Sequence, residues 1–478
     1  MYSCQQNLIH ANNDIKAVLE FICSEANKLT NCAIYYCRQM LFKAHKYVSN
    51  YELDEIMKSN LHFKALRSAV AQQACHQVGE SFKSYRKLAK LYKEGKLKDK
   101  PKPPKYRKKG GLTTISYPAR WLKIVDGQIH FPLGKQVKVW FGLDKFKLPI
   151  PSNLNWKSIK EVRILPRNKC FYIEFVYKQH KVKSELNKSN VLCLDPGISN
   201  ILTGVCTMGK SFIINGKKVK SINQWYNKKV AKLKKNKPQG YWDDELAALT
   251  EKRNRQFRDL RNKIARFIVN WCLNNNVGTI VHGWNQGIKN NSQMSKKVNQ
   301  EFVSIPNAAI KDRIEQLATE CGMDFITQEE SYTSISNFLA NDELPTFGEK
   351  SERKPIFTGK RGKKIKGKLN NLGRGGYLTD DGIWLNSDCL GAANLLRKKA
   401  ITQLENVSLA EVTRGVLSRP HRYDVFNHMS KSYRIRCEEA RIHPASSQPY
   451  RIQVFQSLEN SKSPVPKGTG NFGKVTKN

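Results

Sequence analysis

Asp195 is a residue whose position suggests chemistry, because it ends an apolar run and stands directly before Pro196 and Gly197. The four apolar residues at 191–194 fit a strand buried on both faces, and proline cannot donate to a strand ladder, so the strand is expected to stop at Asp195. Ligand and metal sites in open α/β sheets lie at such strand ends. An aspartate that closes an Asx turn before Pro-Gly explains the same residues. The local sequence leaves both interpretations open.

Carboxylates recur at the ends of two other predicted elements. Glu329 and Glu330 follow the predicted strand 323–328, and Asp388 is placed to open a helix whose glycines and alanines allow close packing on a sheet. A further buried strand is predicted at 278–283. Its histidine is more simply explained as a structural residue than as a metal ligand.

Strands and helices alternate through this part of the chain, which favours an α/β fold. The sequence predicts a second strand from 201, a hairpin over 211–222, a long helix over 244–274 and a helix over about 305–321.

The charge of the chain indicates a polyanionic partner. In 478 residues, 83 Lys and Arg exceed 40 Asp and Glu, which gives a net charge of +43. Nucleic acid is the commonest polyanion for such a protein. No apolar run approaches the ~20 residues that span a bilayer, and no signal peptide opens the sequence, so no membrane partner is predicted. Cysteines without short regular spacing suggest reduced thiols and an intracellular location, cytoplasmic or associated with the nucleoid.

The N-terminal half predicts different kinds of structure in succession. Residues 1–10 give a weak strand, 11–100 a helical region and 101–109 a basic, proline-containing linker. Short β-rich runs, including 137–141, follow as far as 177 and suggest a small barrel. Beyond 405 the chain is basic and proline-punctuated, and a largely disordered tail is predicted.

Basic residues that could contact nucleic acid fall into three groups. Like charges and prolines keep the first group extended, and arginine forks on the long helix suit phosphate oxygens. A solvated helix face with Glu–Arg pairs is the alternative for the second group. The candidates are Lys105, Arg107, Lys108 and Lys109 in the linker, Arg253, Arg255, Arg258 and Arg261 on the long helix, and Lys360 and Arg361 in a polar segment rich in glycine.

Three ordered blocks carry a family resemblance. They are Leu-Asp-Pro-Gly-Ile-Ser-Asn at 194–200, Glu-Glu-Ser-Tyr-Thr-Ser at 329–334, and the run from Leu385 to Lys398. In this order they resemble the split RuvC nuclease domain of the TnpB (OrfB) proteins of insertion sequences, which are related to Fanzor proteins and type V CRISPR effectors. The segment 299–306 resembles the same family between the first and second of these blocks.

The resemblance implies a multidomain architecture of α/β and β-barrel parts. Its nuclease domain would be RNase H-like, with a mixed sheet flanked by helices, beside a wedge-type β-barrel and a helical recognition lobe. Mapped on this chain, the first barrel strand is 1–10, the lobe 11–100, the barrel with its linker 101–190, the nuclease domain 191–404 with a basic insertion at about 335–378, and the tail 405–478.

The family's activity is RNA-guided cleavage of DNA by an Asp, Glu, Asp triad. The implied partners are a guide RNA derived from the transposon end and target double-stranded DNA. The family's triad holds two Mg²⁺ ions, for which Mn²⁺ can substitute, because phosphodiester hydrolysis needs an activated water and a stabilised leaving oxygen. Asp195 and Asp388 match the two aspartates of the family pattern.

The middle glutamate of the pattern is missing. It normally ends the strand that corresponds to 278–283, where this chain has no acid. The next predicted strand lies beside it in this fold, and some relatives carry a glutamate three positions before a Thr-Ser pair. That residue is Glu330 here, so we assign the catalytic and metal-binding set to Asp195, Glu330 and Asp388, with Glu329 in reserve. The alternative is an inactive site.

A second departure concerns zinc. Family members often carry two Cys-x-x-Cys pairs before the last aspartate, and this chain has none, so no zinc is predicted. Three functions therefore compete: an RNA-guided DNA endonuclease, which the carboxylates favour, a nuclease-dead RNA-guided repressor, and a guide-independent transposase or resolvase.

Overall fold

The computed structural model describes most of the chain in two compact units. The described residues are 2–178, 185–197, 199–285, 306–346, 355–362, 364–365, 368–369, 375–403, 407–425 and 452–453. One unit comprises 1–8, 113–119 and 151–450, and the other 9–112, 120–150 and 451–478. Predictions for 299–305, for the centre of the basic insertion and for most of the tail fall outside the described residues.

The unit formed by 9–112 and 120–150 is built on a long amphipathic helix. Helix α1 begins after Asn12, whose side chain accepts a hydrogen bond from the backbone of Ile15 and so caps the helix. The helices are α1 (Asn13–Lys43), α2 (Asn50–Met57), α3 (Leu61–Ala65), α4 (Ser68–Lys93) and α5 (Lys135–Phe141), and the strands are β3 (Lys123–Val125), β4 (Gln128–Pro132) and β5 (Lys145–Pro149). Strands β3, β4 and β5 form an antiparallel sheet.

Residues 137–141 differ from their prediction, because they form α5 and not a strand. Gly134 precedes the helix where a Cβ atom would lie 2.7 Å from the carbonyl oxygen of Ala65. This close approach to α3, with Val137 buried, decides between helix and strand for a run too short to decide by itself.

The other unit contains two main sheets. In the first, β1 (Tyr2–His10), β7 (Cys170–Lys178), β6 (Ile159–Arg167) and β2 (Ile115–Pro118) lie side by side in that order. The last two residues of β1, Ile9 and His10, belong to the unit that contains 9–112, and there they pair with β19 (Ile452–Gln453). The strands predicted to form one barrel are therefore distributed over two sheets, and the wedge-type barrel stays a prediction.

The second main sheet has six strands in mixed orientation. Its order is β12 (Asp324–Gln328), β11 (Val277–Gly283), β8 (Asn187–Pro196), β9 (Asn200–Cys206), β10 (Lys210–Asn215) and β18 (His421–Tyr423). Strand β8 is antiparallel to β9 and parallel to β11, which is parallel to β12. The prediction that the strands at 278–283 and 323–328 lie side by side is confirmed.

Helices cover both faces of this sheet. One face packs on α7 (Asp244–Asn274) and α8 (Asn307–Glu320), and the other on α9 (Ser387–Gln403) and α10 (Arg414–Ser418). The prediction of a multidomain α/β protein with a mixed sheet flanked by helices is confirmed. No helix in the described part of the chain is both long and apolar enough to cross a bilayer.

Two further stretches differ from their predictions. Residues from 217 form helix α6 (Lys217–Lys234) and not the second arm of a hairpin, because Val219 and Asn223, four residues apart, are buried on one helical face. Residues 407–425, predicted to belong to a disordered tail, form α10 and β18, which pairs with the edge of β10. Part of the basic insertion, together with residues that follow it, forms a small sheet of β13 (Gly359–Arg361), β16 (Gly376–Thr379) and β17 (Trp384–Asn386), and β14 (Lys364–Ile365) pairs with β15 (Lys368–Leu369).

Candidate active site

Asp195 lies near the end of the central strand of the six-stranded sheet. Strand β8 extends one residue beyond it, to Pro196, and pairs with β9 and β11 on its two sides. On the face of the sheet that α9 covers, the carboxylate lies against Gly391 of that helix, where a Cβ atom would be 2.9 Å from Asp195 Oδ2. The absence of a side chain at Gly391 therefore makes room for this carboxylate.

Negative neighbours surround the Asp195 carboxyl. Burial, and then the charges of Glu330 and Asp388, hold the pKa of Asp195 well above its usual value, while Arg361 acts in the opposite direction. The structure thus brings all three predicted triad residues into electrostatic contact.

Asp388 is held in place by side-chain amides. It stands in the first turn of α9, where Asn386 Oδ1 accepts hydrogen bonds from the backbone of Asp388 and Cys389 at 3.1 Å. Asn200, at the start of β9, donates through Nδ2 to Asp388 Oδ2 at 2.6 Å. Sequence reasoning did not single out Asn200, although it belongs to the same block as Asp195.

Glu330 follows β12 and turns its carboxylate towards the end of β11. Its backbone N–H donates to Asn285 Oδ1 at 3.2 Å, and Thr333 Oγ1 donates to its carbonyl oxygen at 2.9 Å. A Cβ atom added to Gly283 would lie 3.0 Å from Glu330 Oε2. Glu330 therefore occupies space at the end of β11, the strand whose expected acid is missing.

The Glu330 carboxylate is poorly satisfied. Its Oε2 atom is buried without a hydrogen-bond partner among the described residues. Burial, and then the charge of Glu329, raise the pKa of Glu330 to about 7. A metal cation that reached this carboxyl would displace its proton into the solvent.

Glu329 has different surroundings from its neighbour. It accepts hydrogen bonds from Lys398 Nζ at 2.5 Å and from the backbone N–H of Ser331 at 2.8 Å. Although burial by itself would raise the pKa of Glu329, these hydrogen bonds hold it below its usual value. The reserve residue is thus engaged in an ion pair with α9.

His282 is separate from the carboxylates. Its ring is buried, its Nδ1–H donates to the carbonyl oxygen of Gly283 at 2.7 Å, and its Nε2 has no partner among the described residues. Burial lowers the pKa of His282 to about 4, so the ring is neutral at physiological pH. These contacts fit a structural residue of β11.

Arg361 is a sequence-predicted nucleic-acid contact that the structure places beside the carboxylates. It donates through Nη1 to Ser334 Oγ at 2.7 Å, and its Nη2 lies 3.8 Å from Asp388 Oδ1. The pairing of β13 with β16 returns the inserted segment to the site. Lys360, its neighbour on β13, is exposed.

The side chains as they stand are not grouped around one ion. In the described residues no set of three or more His, Cys, Asp or Glu side chains is arranged to hold a metal. The chemistry of the donors nevertheless suits a hard cation, because all three are carboxylates and one carries a buried oxygen without a partner.

The predicted basic linker is anchored to α1. Asn31 exchanges two hydrogen bonds with the backbone of Arg107, and Asn27 donates to the carbonyl oxygen of Lys108. The side chains of Lys105, Arg107, Lys108 and Lys109 remain exposed. The linker thus presents its charges from a fixed backbone, and its contact with nucleic acid stays a prediction.

The four arginines predicted on α7 have different environments. Arg258 contacts the hydroxyl of Tyr172 and the buried Glu251, and Arg253 donates to Asn223 Oδ1 on α6. Arg261 is half-buried, and burial lowers its pKa. Arg255 is exposed. Arg258 thus forms a Glu–Arg pair, as in the alternative interpretation, and Arg253 is engaged with an amide, while contact of the four arginines with nucleic acid stays a prediction.

Comparisons with known proteins agree with the resemblance seen in the sequence. Residues 174–289 match the OrfB_IS605 family model, described as a probable transposase, so the resemblance to this family is confirmed over that segment. That match includes Asp195 and ends before Glu330 and Asp388. No curated protein matches the chain.

Solved structures similar to the chain are Cas12 complexes. A Cas12f1–sgRNA–target DNA complex is 14% identical over 68% of this chain and 75% of that one, with a TM-score of 0.44. A Cas12f ternary complex is 14% identical over 80% of each chain, with a TM-score of 0.31. A Cas12i variant bound to crRNA and double-stranded DNA is 10% identical over 68% of this chain and 52% of that one, with a TM-score of 0.31. Because these scores are low, the fold rests on the sheet order described above.

Proposed function

We propose, on the premise that residues 174–289 are those of an OrfB-family protein, that the chain is an RNA-guided DNA endonuclease with a RuvC-like site. Its partners would be a guide RNA from the transposon end and target double-stranded DNA. The net charge of +43 supports polyanionic partners such as these nucleic acids. The mixed sheet with helices on both faces supports an RNase H-like nuclease domain.

The observation that carries the proposal is the convergence of Asp195, Glu330 and Asp388 at one edge of the mixed sheet. Burial and the charges of Glu330 and Asp388 raise the pKa of Asp195, so this set of carboxylates is costly to keep together, and in the described residues no structural purpose is evident for the buried Oε2 of Glu330. A site that hydrolyses phosphodiesters with two metal ions can use such a set as its ligands.

These three residues would hold the Mg²⁺ ions, two per site by analogy with the family, with Mn²⁺ as a substitute. When bound there, the ions would supply positive charge against the phosphate and lower the pKa of a water molecule. Oxygen ligands fit this purpose better than imidazole or thiolate.

Neighbouring residues tune the site. Asn200 fixes the orientation of Asp388, and Lys398 keeps the Glu329 carboxylate in an ion pair on α9. Arg361 lies 3.8 Å from Asp388, where its guanidinium could contact a phosphate oxygen of the substrate.

The direct test substitutes each carboxylate in protein purified with its RNA. Asp195→Asn, Glu330→Gln and Asp388→Asn should each lower Mg²⁺-dependent cleavage by at least about 100-fold, because each removes an oxygen ligand that acts in the transition state. Guided DNA binding should persist. Glu329→Gln is the matched control and should keep most of its activity. Loss of activity through Glu329 with full activity of the Glu330 variant would reverse the assignment.

A relocation experiment tests whether Glu330 replaces the missing acid of β11. Because Gly283 lies against Glu330 Oε2, a double variant with Gly283→Glu and Glu330→Gly returns a carboxylate to the same region. It should recover part of the cleavage that Glu330→Gly alone loses. Contact of a new Cβ with Leu395, at 2.8 Å, limits the recovery. No recovery, with both variants folded, would count against the replacement.

A second candidate is an RNA-guided DNA-binding protein that does not cut. The proximity of Arg361 to Asp388 favours it, because a guanidinium can neutralise a carboxylate in place of a metal. The two candidates separate in one assay: wild-type protein that binds guide and target but leaves DNA intact in both Mg²⁺ and Mn²⁺ supports the second. A guide-independent transposase would instead bind its DNA site equally well after removal of RNA.

A further inference from the structure

A cavity of about 540 Å³ opens next to the carboxylates, on the far side of Asn200. Its wall includes Ser199, Asn200, Lys217, Lys220, Arg422 and Asp424. Asn200 belongs to both places, because its side chain donates to Asp388 at 2.6 Å. The cavity and the carboxylates therefore share one wall.

Close backbone contact fixes Lys217 beside this wall. Gly216 donates through its N–H to the carbonyl oxygen of Ser199 at 3.0 Å, and a Cβ atom at Gly216 would lie 2.6 Å from that oxygen. A residue with a side chain would not fit so close. The start of α6 is thereby held against the start of β9, with Lys217 exposed at the cavity.

Arg422 reaches the cavity from the opposite side through strand pairing. In the parallel pair of β10 and β18, Arg422 is the partner of Ile213, whose side chain packs on the α9 face of the sheet. Arg422 is also close enough to Cys389, the residue after Asp388, for its charge to act on that thiol. Its guanidinium therefore faces the side of the sheet that carries the active site.

The cavity has an excess of positive charge. Lys217 and Arg422 are exposed and form no ion pair with any described residue, and Lys220 adds a third cation against the single carboxylate of Asp424. Helix α6 carries further positive charge away from the cavity, because Lys217–Lys234 contains seven lysines and no acidic residue. Two cations that converge from different elements on one cavity suit a phosphodiester.

We propose that this cavity, the Lys217–Arg422 pocket, binds a backbone phosphate of the strand being cut, next to the phosphate at Asp195, Glu330 and Asp388. The inference rests on the proposed function for the identity of the strand. The pocket fixes the register of the strand, and Lys217 and Arg422 are positioning residues. Residues 407–425 thereby contribute to the active site through β18.

The test combines charge removal with neutral linkages in the substrate. Single methylphosphonates are placed at successive positions around the cut, and kcat/KM is measured for RNA-loaded wild type and for the double variant Lys217→Gln, Arg422→Gln. At one position next to the cut, the neutral linkage should slow the wild type roughly tenfold, since it removes charge-assisted contacts. The double variant should be slowed roughly tenfold on the normal substrate, mainly through KM, and should show no further loss at that position.

A matched variant separates the pocket from bulk charge. Lys218→Gln with Arg414→Gln removes the same charge from exposed neighbours on α6 and α10 that do not line the cavity. It should stay within about twofold of the wild type and keep the position-specific methylphosphonate effect. Equal behaviour of the two double variants would overturn the proposal.

A binding measurement decides the question even if the wild type does not cut. Short single-stranded DNA and RNA of one sequence are titrated into the full-length Asp195→Asn protein at several salt concentrations. Pocket substitutions should weaken DNA binding and reduce the salt slope by roughly 1 for each lost contact, and the matched variant should not. Weakened RNA binding with unchanged DNA binding would overturn the assignment to the cut strand.

Discussion

Replacing Glu330 with glutamine should make the metal-free protein more stable at neutral pH, although it should abolish cleavage. Burial, and then the charge of Glu329, raise the pKa of Glu330 from 4.5 to about 7. Between these pH values the folded chain retains a proton that the unfolded chain has released. The contribution of Glu330 to the free energy of unfolding therefore falls as pH rises from about 4.5 to about 7, and stays level above that range.

The size of the effect follows from the two pKa values. The interval from 4.5 to about 7, at about 1.4 kcal/mol for each pH unit, gives at most about 3 kcal/mol. Glutamine has nearly the same shape and does not ionise. It also removes one of the negative charges that repel Asp195, which acts in the same direction. Above about pH 7, Glu330→Gln should thus be more stable than the wild type by up to about 3 kcal/mol, and the difference should vanish near pH 4.5.

Equilibrium urea unfolding in a chelator, repeated across this pH range, measures the difference. Mg²⁺ should then stabilise the wild type above about pH 7 and have little effect on the variant, because binding to the folded state alone raises stability. The control is Glu329→Gln, which removes a carboxylate whose pKa is lowered by Lys398 and should therefore destabilise the protein at neutral pH. A Glu330→Gln protein no more stable than the wild type at pH 8 would refute the reasoning.

Three other substitutions test neighbouring features. Gly391→Ala places a methyl group 2.9 Å from Asp195 Oδ2. It should lower the rate of cleavage about tenfold or more and weaken the stabilisation of the protein by Mg²⁺. Unchanged cleavage kinetics would show that the space is not needed. Asn200→Ala removes the donor to Asp388 and should lower kcat about tenfold without changing guided binding in a gel-shift assay; a change in binding alone would contradict this role. His282→Leu should remove the contribution of this ring to the pH dependence, a loss of stability of up to about 3 kcal/mol as pH falls from 6.5 to about 4, because the folded chain resists protonation of His282. Urea unfolding at the two ends of that range checks the last prediction, and an unchanged pH dependence would contradict it.

Elements with a strong local pattern could be predicted from the sequence. The apolar runs that became β8, β11 and β12 and the long amphipathic helix α7 were located within a few residues, since burial of one face or both faces leaves a clear period. The short elements were not. Residues 137–141 alternate in a way that fits a strand, and 217–222 is too short and polar to show a clear period. Contacts with α3 in the first case, and of α6 with α7 in the second, favour the helix.

The edge strand β18 illustrates a different limit. Its three residues carry no strand pattern of their own, and they are extended because β10 offers an unpaired edge. Long-range pairing of this kind leaves no local trace, so 407–425 was assigned to a disordered tail. The contribution of Arg422 to the Lys217–Arg422 pocket was invisible for the same reason.

The sequence by itself determined which acids stand at the ends of elements. Pro196 and Gly197 end β8 just after Asp195, and the turn chemistry before α9 positions Asp388, because both depend on residues within a few positions in the chain. The tertiary structure decided which of the two adjacent glutamates faces them. Lys398 of α9 lies beside Glu329 and Gly283 of β11 leaves room for Glu330, and both partners are distant in sequence, so packing alone sets the difference.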